Sequence, residues 1–565
     1  METYVDMRVT WVPRKHKNKT YRYPFVVSSY RDEEGKSRTK VHYNLTGMPD
    51  HVIEAIDASL KSGKSITDGM VVKKEIGFQN SLEIGASWAI MKIMKKIGIL
   101  SEINRLDTCY QPAIISMIVD RVINDKPYST RALHAQFNSS GLNEILGKPK
   151  SGGLNQWYQA LEKIYDKQST IQQALFKGRK VKGKRIILYD ISSSYFEGDK
   201  CPLAAFGYNR DGKKGKKQIV YGAITDEEGC PIGIKVFEGN TKDETTVIDQ
   251  IDELKSEFGI EEVVFVGDRG MITANKVAAI TEPEYSSWLR YITAVKRSDM
   301  MSMVDDSDNP IQIGLFDKKE LAEVCHGGVR YVLCHNPLKK EEDSTTRIRL
   351  LDKTEEKLNS IESQVKKGRL KSKDKIARRL YRWINKWNME RFFVVNYDEG
   401  DFRFSRNQAK IDEFSRLDGC YVVTTNIESS DISKEEIVSR YKSLSKVEQL
   451  FRTMKTTEIM VRPIRRWNPQ RVKGHLFVCM LAYLIIWHLR QNWHFFLERD
   501  PVTKSCVGGS LREILDSLKQ IQLATLKIGK SEVQKIGLLT IYQRKLLKSI
   551  GLSMPSKPEA LSLRI

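Results

Sequence analysis

The sequence predicts a multidomain α/β protein, and three observations carry that expectation. Its 565 residues are several times the size of one domain. Apolar residues recur every three or four positions from about Asp50 to Gln173, whereas beyond Arg185 short apolar strands alternate with helical segments. That alternation breaks off near Arg297 and resumes near Asn426. With 40% hydrophobic and 29% charged residues, 16 prolines and no low-complexity tract, the composition excludes a disordered or fibrous chain.

Residues 1–50 alternate apolar and polar side chains (YVDMRVTWV, YRYPFVVSSY, KVHYNLTG) around turns such as DEEGKS, the pattern of a small antiparallel sheet. Residues 51–176 read as a helical domain, in which SLEIGASWAIMKIMKKIGILSEI and QPAIISMIVDRVIND supply apolar faces. A basic linker, Lys177 to Arg185, opens the segment 177–296. Here RIILYDISSSYFEG reads as a strand ending near Asp190, and KKQIVYGAITDEEGCPIGIKVFEGN as two strands joined at DEEG. ETTVIDQIDELKSEFG has helical spacing and stops at Gly259, EEVVFVGDRGMIT is a buried strand stopping at Asp268, and WLRYITAVK is a further strand. The order β-β-β-α-β-α-β is that of a ribonuclease H-like core, with carboxylates at the ends of its first and fourth strands, where Asp190 and Asp268 fall.

Residues 297–426 form an α+β insertion into that core, with strands GVRYVLCHN and RFFVVNY and one long charged helical stretch from Ser344 to Trp387. Ten Lys or Arg lie between Lys366 and Lys386 against one acid, Asp374. Trp383 and Trp387, four apart, share a helical face; packing onto the catalytic core is the preferred reading of the indoles, and stacking on an unpaired base is the other. The core resumes at 427–495 with a long helix from about Ser433 to Glu458 and an apolar run, Leu476 to Trp487, shorter than the roughly 20 residues that span a bilayer. Residues 496–565 read as a basic C-terminal region with dimerisation as its candidate role.

Lys and Arg total 93 against 71 Asp and Glu, a net charge of +22 that attracts polyanions, nucleic acid first among them. The excess is concentrated in KGRKVKGKR (177–185), KKGKK (213–217) and RPIRRWNPQRVK (462–473), although any one cluster also fits a solvated surface. The N-terminus carries charges where a secretory signal has an apolar run, and eight Cys without a repeated CxxC fit a reducing compartment, so a cytoplasmic location is expected. No G-x-x-x-x-G-K-[ST] loop supports an ATP-driven function. Cys325-His326 and Cys334-His335 lack zinc-site spacing, since adjacent residues of a strand point to opposite faces.

Three carboxylates distant in sequence, Asp190, Asp268 and Glu448, are candidates to converge on divalent cations and organise in-line attack at phosphorus. Taken singly, an Asp at a strand end is more often the cap of a following turn; what favours the site is the order in which strand, strand and helix supply the three acids. Tyr441, Glu448 and Lys455 are spaced by sevens, which brings them to one face of a continuous helix. The same segment also fits an exposed charged face over Leu444, Val447 and Phe451.

These residues resemble the Y-x2-R-x3-E-x6-K signature of DDE transposases of bacterial insertion sequences. Tyr441, Glu448 and Lys455 match it; Leu444 stands where the signature has Arg, and Arg452 lies one turn beyond the Glu as its partial replacement. FGYNRDGKKGKKQIVYGAITDEEGCPIG, EGNTKDETT, VGDRGM, RPI and KGHLFVCMLAYLI extend the resemblance over about Arg185 to Arg490. The resemblance implies a ribonuclease H-like catalytic core with Asp190, Asp268 and Glu448 as catalytic metal ligands, two Mg²⁺ or Mn²⁺ ions per site, and excision and strand transfer of an element bounded by inverted repeats. It implies double-stranded DNA as partner, at the element ends and at the target, and a homodimer in the synaptic complex, acting near the nucleoid. The helical domain would help recognise the ends. The expected DNA contacts are Tyr441, Lys455, Arg452, Arg210, Arg269, Arg462, Arg465 and Arg466, with Lys375, Arg378, Arg379 and Arg382 on the inserted arm. A metal-dependent nuclease that cuts without joining, and a non-catalytic DNA-binding protein derived from a transposase, are the alternatives.

Overall fold

A computed structural model describes residues 5–16, 19–32, 34–62, 76–179, 185–208, 210–241, 263–268, 282–305, 321–326, 329–456, 458–497, 509–528 and 531–563, together with Ser256 and Phe258. The expected helix 244–259 and most of the basic linker lie outside the described residues. The chain divides into two compact units, residues 1–82 with 523–537, and residues 83–522 with 538–565.

In the first unit, β1 (Val5–His16), β2 (Lys19–Arg31) and β3 (Ser37–Asn44) form the antiparallel sheet that the alternation predicts. Helix α1 (Asp50–Ser62) covers it, enclosing Val26, Leu45 and Ile53 with Val9 and Leu60. A second sheet joins β4 (Ile76–Glu83) to two strands from near the C-terminus, Gln522–Ile528 and Ser531–Ile536. A pairing between strands so far apart in the chain leaves no trace in local periodicity.

The second unit begins with the helices α2 (Gly85–Lys96), α3 (Gln111–Ile123), α4 (Thr130–Phe137), α5 (Leu154–Asp166) and α6 (Gln168–Lys177). A mixed sheet follows, built of β5 (Arg185–Tyr195), β6 (Gln218–Asp226), β7 (Pro231–Phe237), β8 (Val263–Gly267), β9 (Leu289–Ala294), β10 (Leu321–His326), β11 (Val329–His335) and a later strand, Cys420–Thr425. Strands β5, β6 and β7 are antiparallel neighbours, while β8 and β9 run parallel to β5 on its other side, a spatial order of third, second, first, fourth, fifth.

The segment 297–426 does not stand apart from this sheet. Strand Cys420–Thr425 pairs with β9 and β11, and β10 pairs beyond β11, so three of its strands extend the sheet. The remainder forms its own body. After α7 (Arg297–Asp305), the charged stretch is two helices, α8 (Pro337–Lys366) and α9 (Lys373–Ile384), instead of the single one expected. Between them Gly368 adopts φ +67°, a conformation that ends a helix readily only at glycine. Asn336 caps α8 by accepting from the backbone N–H groups of Leu338 and Lys339. Leu358, Ile361, Ile376, Leu380 and Ile384 pack with a hairpin of β12 (Phe393–Asp398) and β13 (Asp401–Arg406) and with α10 (Gln408–Ser415). Trp383 and Trp387 pack on this cluster, with centroids 6.0 Å apart; they therefore anchor the helix within the insertion's own body and not onto the mixed sheet, where the expectation put them. Completing the numbering of the sheet, Cys420–Thr425 is β14.

The helix expected from Ser433 to Glu458 is also two, α11 (Lys434–Lys442) and α12 (Ser445–Lys455). Across the junction, the N–H groups of Leu444, Lys446 and Val447 reach back three residues, to Tyr441, Ser443 and Leu444, at 3.1, 2.9 and 3.0 Å. Such tighter turns advance about 120° per residue instead of 100°, so the spacing by sevens from Tyr441 to Glu448 loses its phase.

The apolar run near residue 480 lies within α13 (Pro469–Asn492), started by Pro469 and an Asn468 cap, and 24 residues long instead of the expected 12. By length and composition it matches a bilayer span, yet it is mostly buried within the protein. It packs against α3, α5 and α2 on one side and α12 and β7 on the other. Helices α14 (Leu511–Lys519) and α15 (Ile541–Ser549) of the C-terminal region return to this unit, α14 against α2 and α3, with Ile514, Leu515, Leu518, Leu546 and Leu547 buried. Gly474 permits the closest approach in the helical core: a Cβ there would stand 1.9 Å from the carbonyl oxygen of Leu161. Gly474→Ala is expected to destabilise the protein by about 3 kcal/mol, as a core overpacked against backbone does. An unchanged thermal midpoint would show that α5 and α13 are not so closely apposed.

Candidate active site

Side chains alternate across β5. Ile187, Tyr189 and Ile191 join a cluster with Phe265, Leu289 and Tyr291, so Asp190 stands on the opposite face with Leu188, Ser192 and Ser194. Asp190 is in mid-strand and not at its end, because β5 continues through a polar segment whose hydroxyls are satisfied. Ser194 Oγ and Tyr221 Oη lie 2.9 Å apart, and the Arg210 N–H donates to Ser193 Oγ at 3.3 Å. Against its parallel neighbour, however, Asp190 does come at an end. The last pair of β5 with β8 is Tyr189 with Gly267, so the following residues, Asp190 and Asp268, emerge side by side.

Helix α12 lies on the Asp190 face. Val447, Leu450, Phe451 and Met454 are buried, and Phe451 meets Tyr221 of β6 edge to face at 5.7 Å. That seating leaves Glu448 exposed in the first turn of α12. The charges of the other two carboxylates bear on Asp190. Burial foremost raises the Asp190 pKa to about 7; the Ile191 N–H and Arg210 oppose the rise, and the charges of Asp268 and Glu448 add to it. Tyr441, in the last turn of α11, donates its hydroxyl to Asp268 Oδ1 at 3.4 Å and stacks on Tyr421 at 6.5 Å. It approaches the carboxylate from a separate helix, and not from a face shared with Glu448. Among the described residues no three His, Cys, Asp or Glu side chains are already gathered as a metal site. The donor set nevertheless suits a hard divalent cation: oxygen ligands whose mutual repulsion the cation would relieve.

Asp211, which the sequence reading did not single out, organises the basic residues beside the acids. Its side chain is 1% exposed and lies 3.3 Å from Lys455 Nζ. It also pairs with Arg462 and accepts from the Tyr195 N–H at 2.9 Å. Lys455 is half-buried, and burial lowers its pKa while Asp211 opposes that. Lys455 and Arg462 thus serve a buried carboxylate. The signal for Asp211 in the sequence was one acid amid the basic loop GYNRDGKKGKK. Arg210 is half-buried near Asp190, and Arg452 is exposed on α12. Arg465 is exposed and pairs with Glu197 at 3.0 Å. Arg466 departs from its expected role as an exposed contact: it turns toward α4, donating to Thr130 Oγ1 at 3.3 Å, and burial lowers its pKa to about 10. Lys375, Arg378, Arg379 and Arg382 are exposed on α9, and Arg269 lies outside the described residues.

A second residue missed in the sequence is Arg121 of α3, a buried cation in an otherwise apolar run. Its guanidinium donates to the carbonyls of Ile459 and Met460 at 2.8 and 3.2 Å, tying the helical region to the turn after α12. His475 lies beside it, its pKa held well below the ordinary range by burial and by the charges of Arg121 and Arg466. For Asp190, an unfolded chain titrates near 3.8 and the folded chain near 7, so the folded state holds the extra proton between those values. Stability of the metal-free protein should therefore fall as pH rises through that window. Asp190→Asn is expected to raise the metal-free thermal midpoint at pH 8 and leave it unchanged at pH 4; equal midpoints at pH 8 would mean that the buried charge carries no penalty.

No curated protein matches the chain. Among solved structures, a piggyBac transposase synaptic complex with hairpin DNA is similar at a TM-score of 0.36 and 10% identity, over 77% of this chain and 76% of that one. The family described as IS1634 family transposase, N-terminal domain, matches residues 9–69. The family described as Transposase DDE domain matches residues 182–485, more than half of the chain and the whole interval holding Asp190, Asp268 and Glu448, and the protein belongs to these DDE transposases of bacterial insertion sequences.

Proposed function

We propose that this transposase binds the inverted-repeat ends of its element and performs metal-dependent strand cleavage and strand transfer, in cut-and-paste transposition, from a ribonuclease H-like core. The observation that carries the reading is the placement of Asp190 and Asp268 side by side at the ends of the β5–β8 pairing, with α12, which carries Glu448, seated on the Asp190 face of the sheet. The third-second-first-fourth-fifth strand order supports the core assignment.

In this reading Asp190, Asp268 and Glu448 hold two Mg²⁺ or Mn²⁺ ions. When bound, such ions polarise phosphoryl oxygens and lower the pKa of an attacking water. Tyr441 orients Asp268 through its hydroxyl, the Ile191 N–H holds Asp190 Oδ1 at 2.8 Å, and the seating of Phe451 on Tyr221 fixes the approach of Glu448. Arg210 and Arg452 supply positive charge for the scissile strand, in place of an arginine at Leu444. Asp211 holds Lys455 and Arg462 at the end of α12, so that these cations meet phosphate in a fixed arrangement instead of searching rotamers. The exposed face of α9, with Lys375, Arg378, Arg379 and Arg382, grips DNA away from the acids. Two element ends are processed by a homodimer.

A cleavage and strand-transfer assay on DNA carrying the inverted repeats that flank the coding region tests this reading. Asp190→Ala, Asp268→Ala and Glu448→Ala are each expected to abolish Mg²⁺-dependent cleavage and keep DNA binding, and Ca²⁺ to support binding with little cleavage. Cleavage without joining by the unaltered protein would instead identify a nuclease. Reversing Lys375, Arg378, Arg379 and Arg382 to Glu is expected to weaken end binding by at least about tenfold and flatten its salt dependence, while thermal melting stays the same. Unchanged affinity with normal melting would remove α9 from the DNA surface.

A further inference from the structure

The loop between β5 and β6 holds two large aromatic rings out in water. Phe206 is 64% exposed and Tyr208 83% exposed. Isolated apolar residues on a surface need no special explanation. These two differ because the backbone that carries them is tied down on both sides. Before them, Ala205 forms a bridge with Gln218, its N–H donating to the Gln218 carbonyl at 3.2 Å and its carbonyl accepting from the Gln218 N–H at 2.9 Å. Between them, Gly207 lies so close to the next segment that a Cβ would stand 2.4 Å from the carbonyl oxygen of Gly239. After them, Arg210 bonds Ser193 and Asp211 is locked to Tyr195, Lys455 and Arg462.

The rings thus project from a fixed edge, two and four residues before Arg210, whose backbone N–H is held by Ser193 of β5 and whose charge bears on Asp190. The loop continues with Lys213, Lys214, Lys216 and Lys217, of which the first three are exposed. Cations beside exposed rings form the combination that follows a single nucleic-acid strand: charge tracks the phosphates, and ring faces stack on bases whatever their identity. A fully paired duplex offers no free base face along its side. The chemistry therefore selects an unpaired base.

We propose that Tyr208, with Phe206, is a stacking platform for an unpaired nucleobase of the strand presented to Asp190, Asp268 and Glu448, and that the site thereby favours DNA with bases freed from the duplex. This rests on the transposase reading for the strand at the acids, yet its own test needs no cleavage. The probe is a duplex oligonucleotide with a four-nucleotide single-stranded gap containing 2-aminopurine, compared with the same duplex fully paired, both titrated with the full chain in Ca²⁺. The unaltered protein should bind the gapped duplex about tenfold more tightly and quench the 2-aminopurine fluorescence. Tyr208→Ala should lose most of that preference and the quenching, whereas Tyr208→Phe, which keeps the ring, should retain both. Because no charge changes, the salt dependence should be the same in all three. Equal affinity of the unaltered protein for the two probes, or an undiminished preference and quenching in Tyr208→Ala with Phe206→Ala, would overturn the platform. Absence of metal-dependent cleavage of inverted-repeat DNA by the unaltered protein would overturn the transposase reading instead, and the two failures are read in separate experiments.

Discussion

The burial of α13 is the constraint on which the catalytic unit depends. A 24-residue helix with Leu476 through Ile486 out of solvent needs apolar partners around its whole circumference, and it finds them in two directions. Helices α3 and α5 cover one side, where Gly474 lets the backbone of α5 come close; α12 and β7 cover the other. The helical region and the mixed sheet therefore share a core through one element, and α12 is fixed between that element and the sheet. Glu448 is held where it is by hydrophobic seating on its own helix, with Phe451 and Leu450 inward. A site whose acids repel needs such a mechanical hold, because electrostatics alone would spread them apart.

Charge is handled by the same economy of position. Asp211 is an acid placed among cations, and Asp190 is an acid placed among acids. The first holds Lys455 and Arg462 in a buried pairing, and the second is left with its charged form disfavoured, by its burial foremost and by the neighbouring acids in lesser part. Both arise from neighbouring stretches of chain, β5 and the loop that follows it. The difference is which elements pack against them: the end of α12 and the turn beyond it bring cations to Asp211, whereas the start of α12 and the end of β8 bring carboxylates to Asp190.

Much of this was legible in the sequence, because strand order and acid spacing are recorded locally. The DEEG turn, the buried strand ending before Asp268 and the apolar face of α12 each follow from periodicity over ten residues or so. What was not legible depends on partners far away. Asp190 looks like the end of a strand because polar residues follow it, whereas the ladder with β6 continues to Tyr195 and the hydroxyls of Ser193 and Ser194 find partners in Arg210 and Tyr221. The division of the helix at Ser443 leaves composition untouched, since it is a change of hydrogen-bond register within a good helical sequence. The strands of 297–426 seemed to belong to an insertion because they interrupt the core in sequence, yet their edges are completed by β9. Arg466, expected to contact DNA, turns inward to a hydroxyl, and Arg121, which local pattern did not single out, finds its carbonyls more than 330 residues away.

That last point bears on the net charge of +22, which is not a uniform coat. Part of the basic excess is used inside: Arg330 is 5% exposed and bonds Glu323 with the carbonyls of Ile427 and Ile432, while Arg347 and Arg297 pair with the buried Asp418. Arg121 and Arg512 likewise cap carbonyls, at Ile459 and Ile123. Guanidinium groups suit these places because one planar fork satisfies several acceptors at once. Among the described residues, exposed cations stay concentrated as lysines of the 213–217 loop and as Lys and Arg residues of α9. The field that a polyanion meets is consequently patterned by which carbonyls and carboxylates the interior had to satisfy. Among the described residues one such patch follows Arg210 and Asp211 in the loop between β5 and β6, and another lies on α9 of the insertion.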